Sequence, residues 1–142
     1  MNSQEPKVPE HWTTLHHELQ EEMQREVYLM RELLSNMHQE EISLMLNDQG
    51  SLQQILHQRS FLLEKLSSLR LNKLETLKQI ERSNIPLEID SLGEQLTCLT
   101  EKVHRQTNTN QRLITHPEHY YHLAQEQRPK KKLAIATLQI KK

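Results

Sequence analysis

Apolar residues recur in steps of three, four or seven along the first third of the chain, starting at Trp12. Residues at these steps share one face of a helix, so the pattern predicts a helix over about residues 10–46. At about 1.5 Å per residue this helix is on the order of 55 Å long. Its apolar row consists of Trp12, Leu15, Leu19, Met23, Val27, Met30, Leu34, Met37, Leu44 and Met45.

The sequence NDQGS, residues 47–51, interrupts this row. We expect Gly50 to supply the backbone freedom of a turn, and Ser51 with Gln54 to form a capping box for a second helix. That helix is predicted over about residues 51–83, and the short connection makes the two helices antiparallel neighbours. Its apolar row consists of Leu52, Ile55, Leu56, Leu62, Leu63, Leu66, Leu69, Leu77 and Ile80.

A third helix is predicted over about residues 90–115. Pro86 disfavours helical backbone at Ile85, so the second helix ends before this point. Ser91 with Glu94 forms a capping box for the third helix. Its apolar row consists of Leu92, Leu96, Leu99, Val103, Leu113 and Ile114.

The third helix is polar in its middle, because Gln106 and Asn110 occupy positions where Leu would continue the apolar row. Thr115 with Glu118 has the pattern of a further capping box. The sequence therefore predicts a kink near Thr115 and a short helical segment over residues 117–127.

The composition favours helices throughout. The chain of 142 residues has two glycines, one Phe and a hydrophobic content of 35%. Such a low content suits long helices that each bury one stripe. The predicted fold is all-α: a long antiparallel helical hairpin plus a third, kinked helix, arranged as an elongated three-helix bundle or coiled coil. We expect residues 1–9 to form a flexible lead, residues 10–127 a helical domain, and residues 128–142 a tail.

Charge is unevenly distributed along the chain. Residues 128–142 carry one Arg and five Lys without an acid, so this +6 leaves −7 for the remainder of a chain with net charge −1. Residues 1–41 hold nine Glu against three Lys and Arg, a net charge of −6. An acidic body lacks the clustered cations that phosphate contacts need, so nucleic acid is not an expected partner.

Cys98 is the single cysteine, which fits a reducing compartment, and we expect it to be a small buried residue. The chain starts with polar residues and contains no run of about 18 apolar residues. Neither a secretory signal nor stable membrane insertion is therefore expected.

The histidines of the segment HPEHYYH are the strongest candidates for metal chemistry. His119 lies three residues from both His116 and His122, so either pair could hold a divalent ion on one helix face. The outer two are about 120° apart on a helix, which makes ligation by all three poor. Surface histidines are the favoured interpretation, and no metal or cofactor is predicted.

The acidic pairs Glu21–Glu22 and Glu40–Glu41 are candidates for acid–base chemistry. That chemistry needs a concave site with little water, and a thin helical hairpin offers little concavity. We therefore expect both pairs to belong to a solvated face. Because no glycine-rich phosphate loop or nucleophile motif is present either, the chain is not expected to be an enzyme.

Methionines of the first helix recur at seven- and eight-residue steps, at Met23, Met30, Met37 and Met45. Ordinary core packing is the favoured interpretation. The alternative is an adaptable stripe that accepts different partner helices.

Residues 33–70, LLSNMHQEEISLMLNDQGSLQQILHQRSFLLEKLSSLR, resemble the FlgN family of flagellar export chaperones. The family pattern has a Leu pair, acidic residues before an apolar run, an Asp that opens the hairpin, spaced Leu residues, and a basic residue before Leu-Leu and a closing Arg. The matching residues are Leu33, Leu34, Glu40, Glu41, Leu44, Asp48, Leu52, Ile55, Arg59, Leu62, Leu63, Leu66, Leu69 and Arg70. Asn108, Asn110, Leu113 and Ile114 are similar to the family's Asn-rich turn before paired aliphatic residues, and the resemblance covers about residues 15–127.

The resemblance implies a cytoplasmic bacterial chaperone that binds the C-terminal helices of hook-associated proteins. Such a chaperone keeps these subunits unassembled and passes them to the export gate of a type III secretion apparatus. The expected partners are a secreted helical client and an export-gate component, and the chain is expected to be a monomer or homodimer. The predicted partner-binding residues are Asn110, Leu113, Ile114, Tyr120, Tyr121, Leu123, Leu133, Ile135, Leu138 and Ile140.

Two features depart from the family: Pro117 interrupts a helix that usually continues, and a basic, aliphatic tail replaces one that often contains Gly. Burial of the four aliphatic tail residues would yield roughly 6–12 kcal/mol. Ordering about ten residues costs on the order of 10 kcal/mol. The tail is therefore too weak to bind a partner without the helical body.

Three other interpretations stay open at this point. The helices could bury their stripes against one another in a self-associating coiled-coil scaffold. The tail could attach to a membrane or to nucleic acid, and its six cations could attract anionic lipid at about 1 kcal/mol each near the surface. The tail could also lie on the acidic first helix until a partner displaces it.

Overall fold

The computed structural model describes residues 10–85 and 91–115, which form three α-helices. These are α1 (Glu10–Met45), α2 (Gln49–Arg82) and α3 (Ser91–Thr115). No strand occurs within these two ranges, so the predicted all-α class is confirmed. Each helix begins and ends within two residues of the predicted positions. The expected kink and the segment after it lie outside the described residues.

Helix α1 is the central element. It packs along both α2 and α3, whereas the backbones of α2 and α3 do not come into contact within the described ranges. Hydrogen bonds join Asn36 to Arg59 and Glu26 to Arg70, so α2 runs antiparallel to α1 as predicted. Among the described helices, α3 therefore packs against α1 alone, and no described helix fills the side between α2 and α3.

Two apolar clusters form the core. The larger lies in the middle of the molecule and draws on all three helices, whereas the smaller joins the start of α1 to the end of α2. Met30 and Met37 belong to the larger cluster and are 2% and 8% exposed, which confirms ordinary core packing for these two methionines. The buried residues of the larger cluster are Val27, Met30, Leu33, Met37, Leu66 and Leu99. Those of the smaller cluster are Leu15, Leu19, Ile80 and Ile85.

The turn between α1 and α2 differs from its prediction in two residues. Asp48, not Ser51, is the N-cap of α2: its carboxylate accepts hydrogen bonds from the backbone N–H and the hydroxyl of Ser51, at 3.2 and 2.7 Å. Gly50 lies inside the first turn of α2 and has no positive φ. The left-handed position is occupied instead by Asn47, with φ of 52°. An Asp cap is as favourable as a Ser cap, so the helix simply starts earlier.

Helices α1 and α2 end in the same way. After α1, the backbone N–H of Asp48 donates to the Ser43 carbonyl at 2.9 Å across left-handed Asn47. After α2, the N–H of Ile85 donates to the Ile80 carbonyl at 3.1 Å across Asn84, whose φ is 53°. This is the Schellman motif with Asn in the position that Gly usually holds. Both ends therefore form without glycine.

Candidate partner-binding surface

Three predicted partner-binding residues lie in the described part of the chain. Asn110 and Leu113 are 3% and 6% exposed, whereas Ile114 is 52% exposed at the end of α3. A partner reaches the first two only if α3 moves, so their role in binding stays a prediction. The remaining predicted residues lie outside the described ranges: Tyr120, Tyr121, Leu123, Leu133, Ile135, Leu138 and Ile140.

Polar side chains cross the interior at the hairpin end of the molecule. We call Asn36, Glu40, Arg59, Gln106 and Asn110 the polar layer. Four of them are buried, and Arg59 is partly buried. Buried polar groups cost free energy unless they are paired, so their hydrogen bonds decide whether the layer holds the helices together.

The polar layer joins α2 to α1 through Arg59. Its guanidinium donates two hydrogen bonds to the Glu40 carboxylate, at 2.9 and 3.2 Å, and a third to Asn36 Oδ1 at 2.9 Å. Asn36 in turn donates to the Ile55 carbonyl at 2.9 Å. The paired donors and acceptors fix the register of the two helices.

The same layer joins α3 to α1. Asn110 Nδ2 donates to the Met37 carbonyl at 2.9 Å and to Glu40 Oε1 at 2.6 Å. Gln106 Nε2 donates to Glu41 Oε2 at 2.7 Å and to Asn110 Oδ1 at 2.9 Å. Glu40 therefore links all three helices: it lies on α1, and its carboxylate accepts hydrogen bonds from Arg59 of α2 and Asn110 of α3.

These contacts overturn the prediction that Glu40 and Glu41 belong to a solvated face. Glu40 is 6% exposed and Glu41 is half-buried, because cations and amides from the neighbouring helices cover them. Glu21 is exposed and lies 3.1 Å from His17, as expected of a solvated position. The carboxylate of Glu40 fixes the position of neighbouring helices.

A second buried carboxylate joins α1 to α2 nearer the middle of the hairpin. Glu26 is 4% exposed, and its carboxylate accepts from Arg70 Nε at 3.0 Å and from Lys73 Nζ. Two cations of α2 thus surround one acid of α1. This contact and the polar layer join α1 to α2 at two levels of the hairpin.

A row of exposed leucines follows one flank of α2. Leu56, Leu63 and Leu74 are each 48% exposed, and we call them the leucine row. Leu56 directly follows the buried Ile55 in the sequence, so the row lies beside the buried stripe. Because one helix residue turns the chain by about 100°, these side chains stay outside the α1–α2 contact. The row is an apolar surface without a covering helix in the described part of the chain.

A groove with two exposed aromatic residues follows the other flank of the hairpin. Tyr28 of α1 and Phe61 of α2 are 62% and 53% exposed at its sides. We call this the aromatic groove. Its lining residues are Arg25, Tyr28, Leu29, Phe61, Glu64, Lys65, Ser68, Leu69 and Asn72.

The leucine row and the aromatic groove lie on opposite flanks of α2. Leu63 follows Leu62 in the sequence, whereas Phe61 precedes it, so the two lie about 100° to either side of the half-buried Leu62. The periodicity that predicted α2 counted Leu56 and Leu63 as core residues, and the structure places both at the surface. A partner on one flank leaves the other accessible.

The described residues give no support for a metal site or for a buried cysteine. Within the described ranges no three His, Cys, Asp or Glu side chains form a group suited to a metal ion, while His116, His119 and His122 lie outside these ranges. Cys98 is exposed, so its predicted burial is wrong: it precedes buried Leu99 by one residue and points away from the core. No described helix is long and apolar enough to cross a membrane.

Comparisons of the chain with protein-family models, with curated proteins and with solved structures find no match.

Proposed function

We propose that this protein is a cytoplasmic bacterial export chaperone of the FlgN type. It binds the C-terminal helices of hook-associated proteins or related type III secretion substrates, prevents their premature assembly and delivers them to the export gate. The observation that carries the proposal is the leucine row. It is a half-exposed apolar surface that no helix of the described chain covers, which is the surface that an amphipathic helix needs as a partner.

The leucine row favours a reversible contact. Full burial of a Leu side chain is worth about 1.5–3 kcal/mol, and each of these leucines is already half covered. The row therefore contributes about 1 kcal/mol per residue, roughly 3 kcal/mol in all. Micromolar affinity requires about 8 kcal/mol. Exposed Ile114 and the aliphatic tail residues would supply further apolar contact, so the client is held in several weak contacts and released at the gate.

The leucine row is tested by replacing Leu63 and Leu74 with Ser in one variant. We expect binding of a purified hook-associated protein to weaken about tenfold or more, because two apolar contacts are lost. Tyr28→Ser is the matched control, since it removes an exposed apolar side chain from the opposite flank. Isothermal titration calorimetry measures both, and circular dichroism checks helicity. Equal binding by the double variant and the control would remove the row from the mechanism.

The tail and the class of client are tested together. Deletion of residues 128–142 is expected to weaken capture of the client while the helicity of residues 10–115 is kept, because the two apolar clusters of the described chain join the helices to one another. Affinity capture from the native cell extract, followed by mass spectrometry, identifies the client. Recovery of a secreted protein with a helical C-terminus supports the proposal, and recovery of none contradicts it.

A further inference from the structure

The aromatic groove carries exposed aromatic surface that neither the core nor the proposed client contact uses. Tyr28 and Phe61 are more exposed than any leucine of the leucine row. Aromatic residues are enriched at the centres of protein interfaces, where they contribute a large contact area. The groove therefore has the composition of an interface centre.

Charges of opposite sign lie on the two sides of Tyr28. Arg25 lies three residues before it and Glu32 four residues after it, so all three share one exposed face of α1. Neither the Arg25 nor the Glu32 side chain forms a hydrogen bond or an ion pair within residues 10–85 and 91–115. In an antiparallel second copy the order cation, aromatic, anion becomes anion, aromatic, cation, so each charge of one copy meets the opposite charge of the other and the face is complementary to itself.

We propose that the aromatic groove binds the aromatic groove of a second copy of this chain, which gives a twofold-symmetric dimer. The α1 helices run antiparallel across the interface and cross near Tyr28. Arg25 of each copy then lies opposite Glu32 of the other, which forms two identical ion pairs around a central pair of tyrosines. Glu21 lies level with residues 35–36 of the second copy, which carry no charge, so acids do not face one another along α1.

The face is large enough for a stable dimer. Helices of 36 and 34 residues side by side present a surface about 50 Å long and about 20 Å wide, or about 1,000 Å². A standard interface buries about 800 Å² on each partner. Helix α3 lies on the other side of α1 and borders this face: Glu32 precedes Glu41 by two and a half helical turns, so the two point to opposite sides of α1, and Glu41 bonds to α3. Arg31, which donates to Gln95 of α3 at 3.2 Å, lies about 100° from Glu32 and marks the edge of the face toward α3.

The experiment exchanges charges between copies of the full-length chain. Arg25→Glu places Glu at residue 25 against Glu32 of the second copy, and Glu32→Arg places Arg against Arg25. We expect each single variant to raise the dimer dissociation constant about 10- to 100-fold, because two attractive pairs become repulsive. When the two variants are mixed in equal amounts, a mixed dimer can form from one copy of each. In it, both acids of the Arg25→Glu copy lie opposite the two arginines of the Glu32→Arg copy, so both ion pairs are attractive again. Analytical ultracentrifugation should therefore show dimers in the mixture but monomers in each variant alone.

The mixture also serves as the folding control, because only folded copies can pair. Exchange of the exposed pair Glu101 and Arg105 on α3, which lies outside the interface, should leave the dimer unchanged. Tyr28→Ser should weaken it. A wild-type chain that stays monomeric up to millimolar concentration, or a dimer that survives both single variants, would overturn the inference. The inference does not depend on the proposed function: the Arg25 and Glu32 variants test the dimer, and the Leu63 and Leu74 double variant tests client binding. Tyr28→Ser, the control for client binding, should weaken the dimer alone.

Discussion

Glu40 shows how a single acidic residue organises this fold. Glu40 is 6% exposed, and its carboxylate accepts hydrogen bonds from Arg59 of α2 and Asn110 of α3. A buried ion pair gains little over an apolar pair of the same volume, but the loss of one partner leaves the other charge buried and unpaired. The cost of changing Glu40 therefore lies in what becomes of Arg59 and Asn110.

We expect Glu40→Ala to lower the free energy of unfolding by about 2–4 kcal/mol, because it leaves the guanidinium of Arg59 without its carboxylate. Glu101→Ala is the matched control: Glu101 also pairs with an Arg, but 63% of its side chain is exposed. The control should cost less than about 0.5 kcal/mol. Urea unfolding followed by circular dichroism measures both, and equal losses would show that the polar layer contributes nothing beyond a surface pair.

At the scale of the elements, the ends of the helices depend on asparagine and aspartate rather than on glycine. Asn47 and Asn84 hold the left-handed positions after α1 and α2, and Asp48 caps the start of α2. Asn tolerates this conformation better than other residues with a Cβ atom, because its short polar side chain can bond locally. Gly50 is then an ordinary helical residue without a conformational role.

Two alanine variants test whether Asn47, rather than Gly50, occupies the strained position of the turn. Gly50→Ala should stabilise the fold by about 0.5 kcal/mol, because a helical Gly loses more backbone entropy than Ala. An added Cβ would meet Asp48 Oδ1 at 3.8 Å, an ordinary contact. Asn47→Ala should instead destabilise the fold by about 1 kcal/mol, because Ala is strained at positive φ. Thermal unfolding measures the two shifts, and changes of the same sign would contradict the turn geometry.

At the scale of the whole molecule, α1 packs against two of the described helices and α3 against one. Helix α3 buries two apolar residues, Leu99 and Leu113, and two polar residues, Gln106 and Asn110. Near its C-terminal end, side-chain hydrogen bonds to α1 and the buried Leu113 attach it. Elements with few buried apolar contacts open at lower free energy than the global unfolding.

We therefore expect the amides of α3 to exchange with deuterium faster than those of the middle of α1, with protection lower by about tenfold or more. Asn110→Ala should widen this difference, because it removes the bonds to Met37 and Glu40. Asn108→Ala, an exposed neighbour, is the control and should change little. Uniform protection of α1 and α3 in both variants would show that the three helices open as one unit.

The sequence predicted the helices well and their contacts less well, for a physical reason. Helix positions depend on local spacing, so the rows that start at Trp12 and Leu52 place α1 and α2 to within two residues. Burial depends on which helix lies opposite, and one sequence does not give the register. Glu40 was therefore expected in solvent although Arg59 covers it, and Leu63 was expected in the core although nothing described covers it. Gln106 and Asn110, polar residues in an apolar row, were the available signal of a polar layer.

The spacing of the leucine row also constrains the shape of any helix that binds along it. Leu56, Leu63 and Leu74 are separated by seven and eleven residues, and together these steps equal five turns of 3.6 residues. The row therefore runs straight along α2. A helix with strict heptads drifts by about 20° per heptad relative to a straight row. A long supercoiled partner thus leaves the row after a few turns, while a straight helix stays on it, so the surface selects partners by the period of their apolar residues rather than by composition.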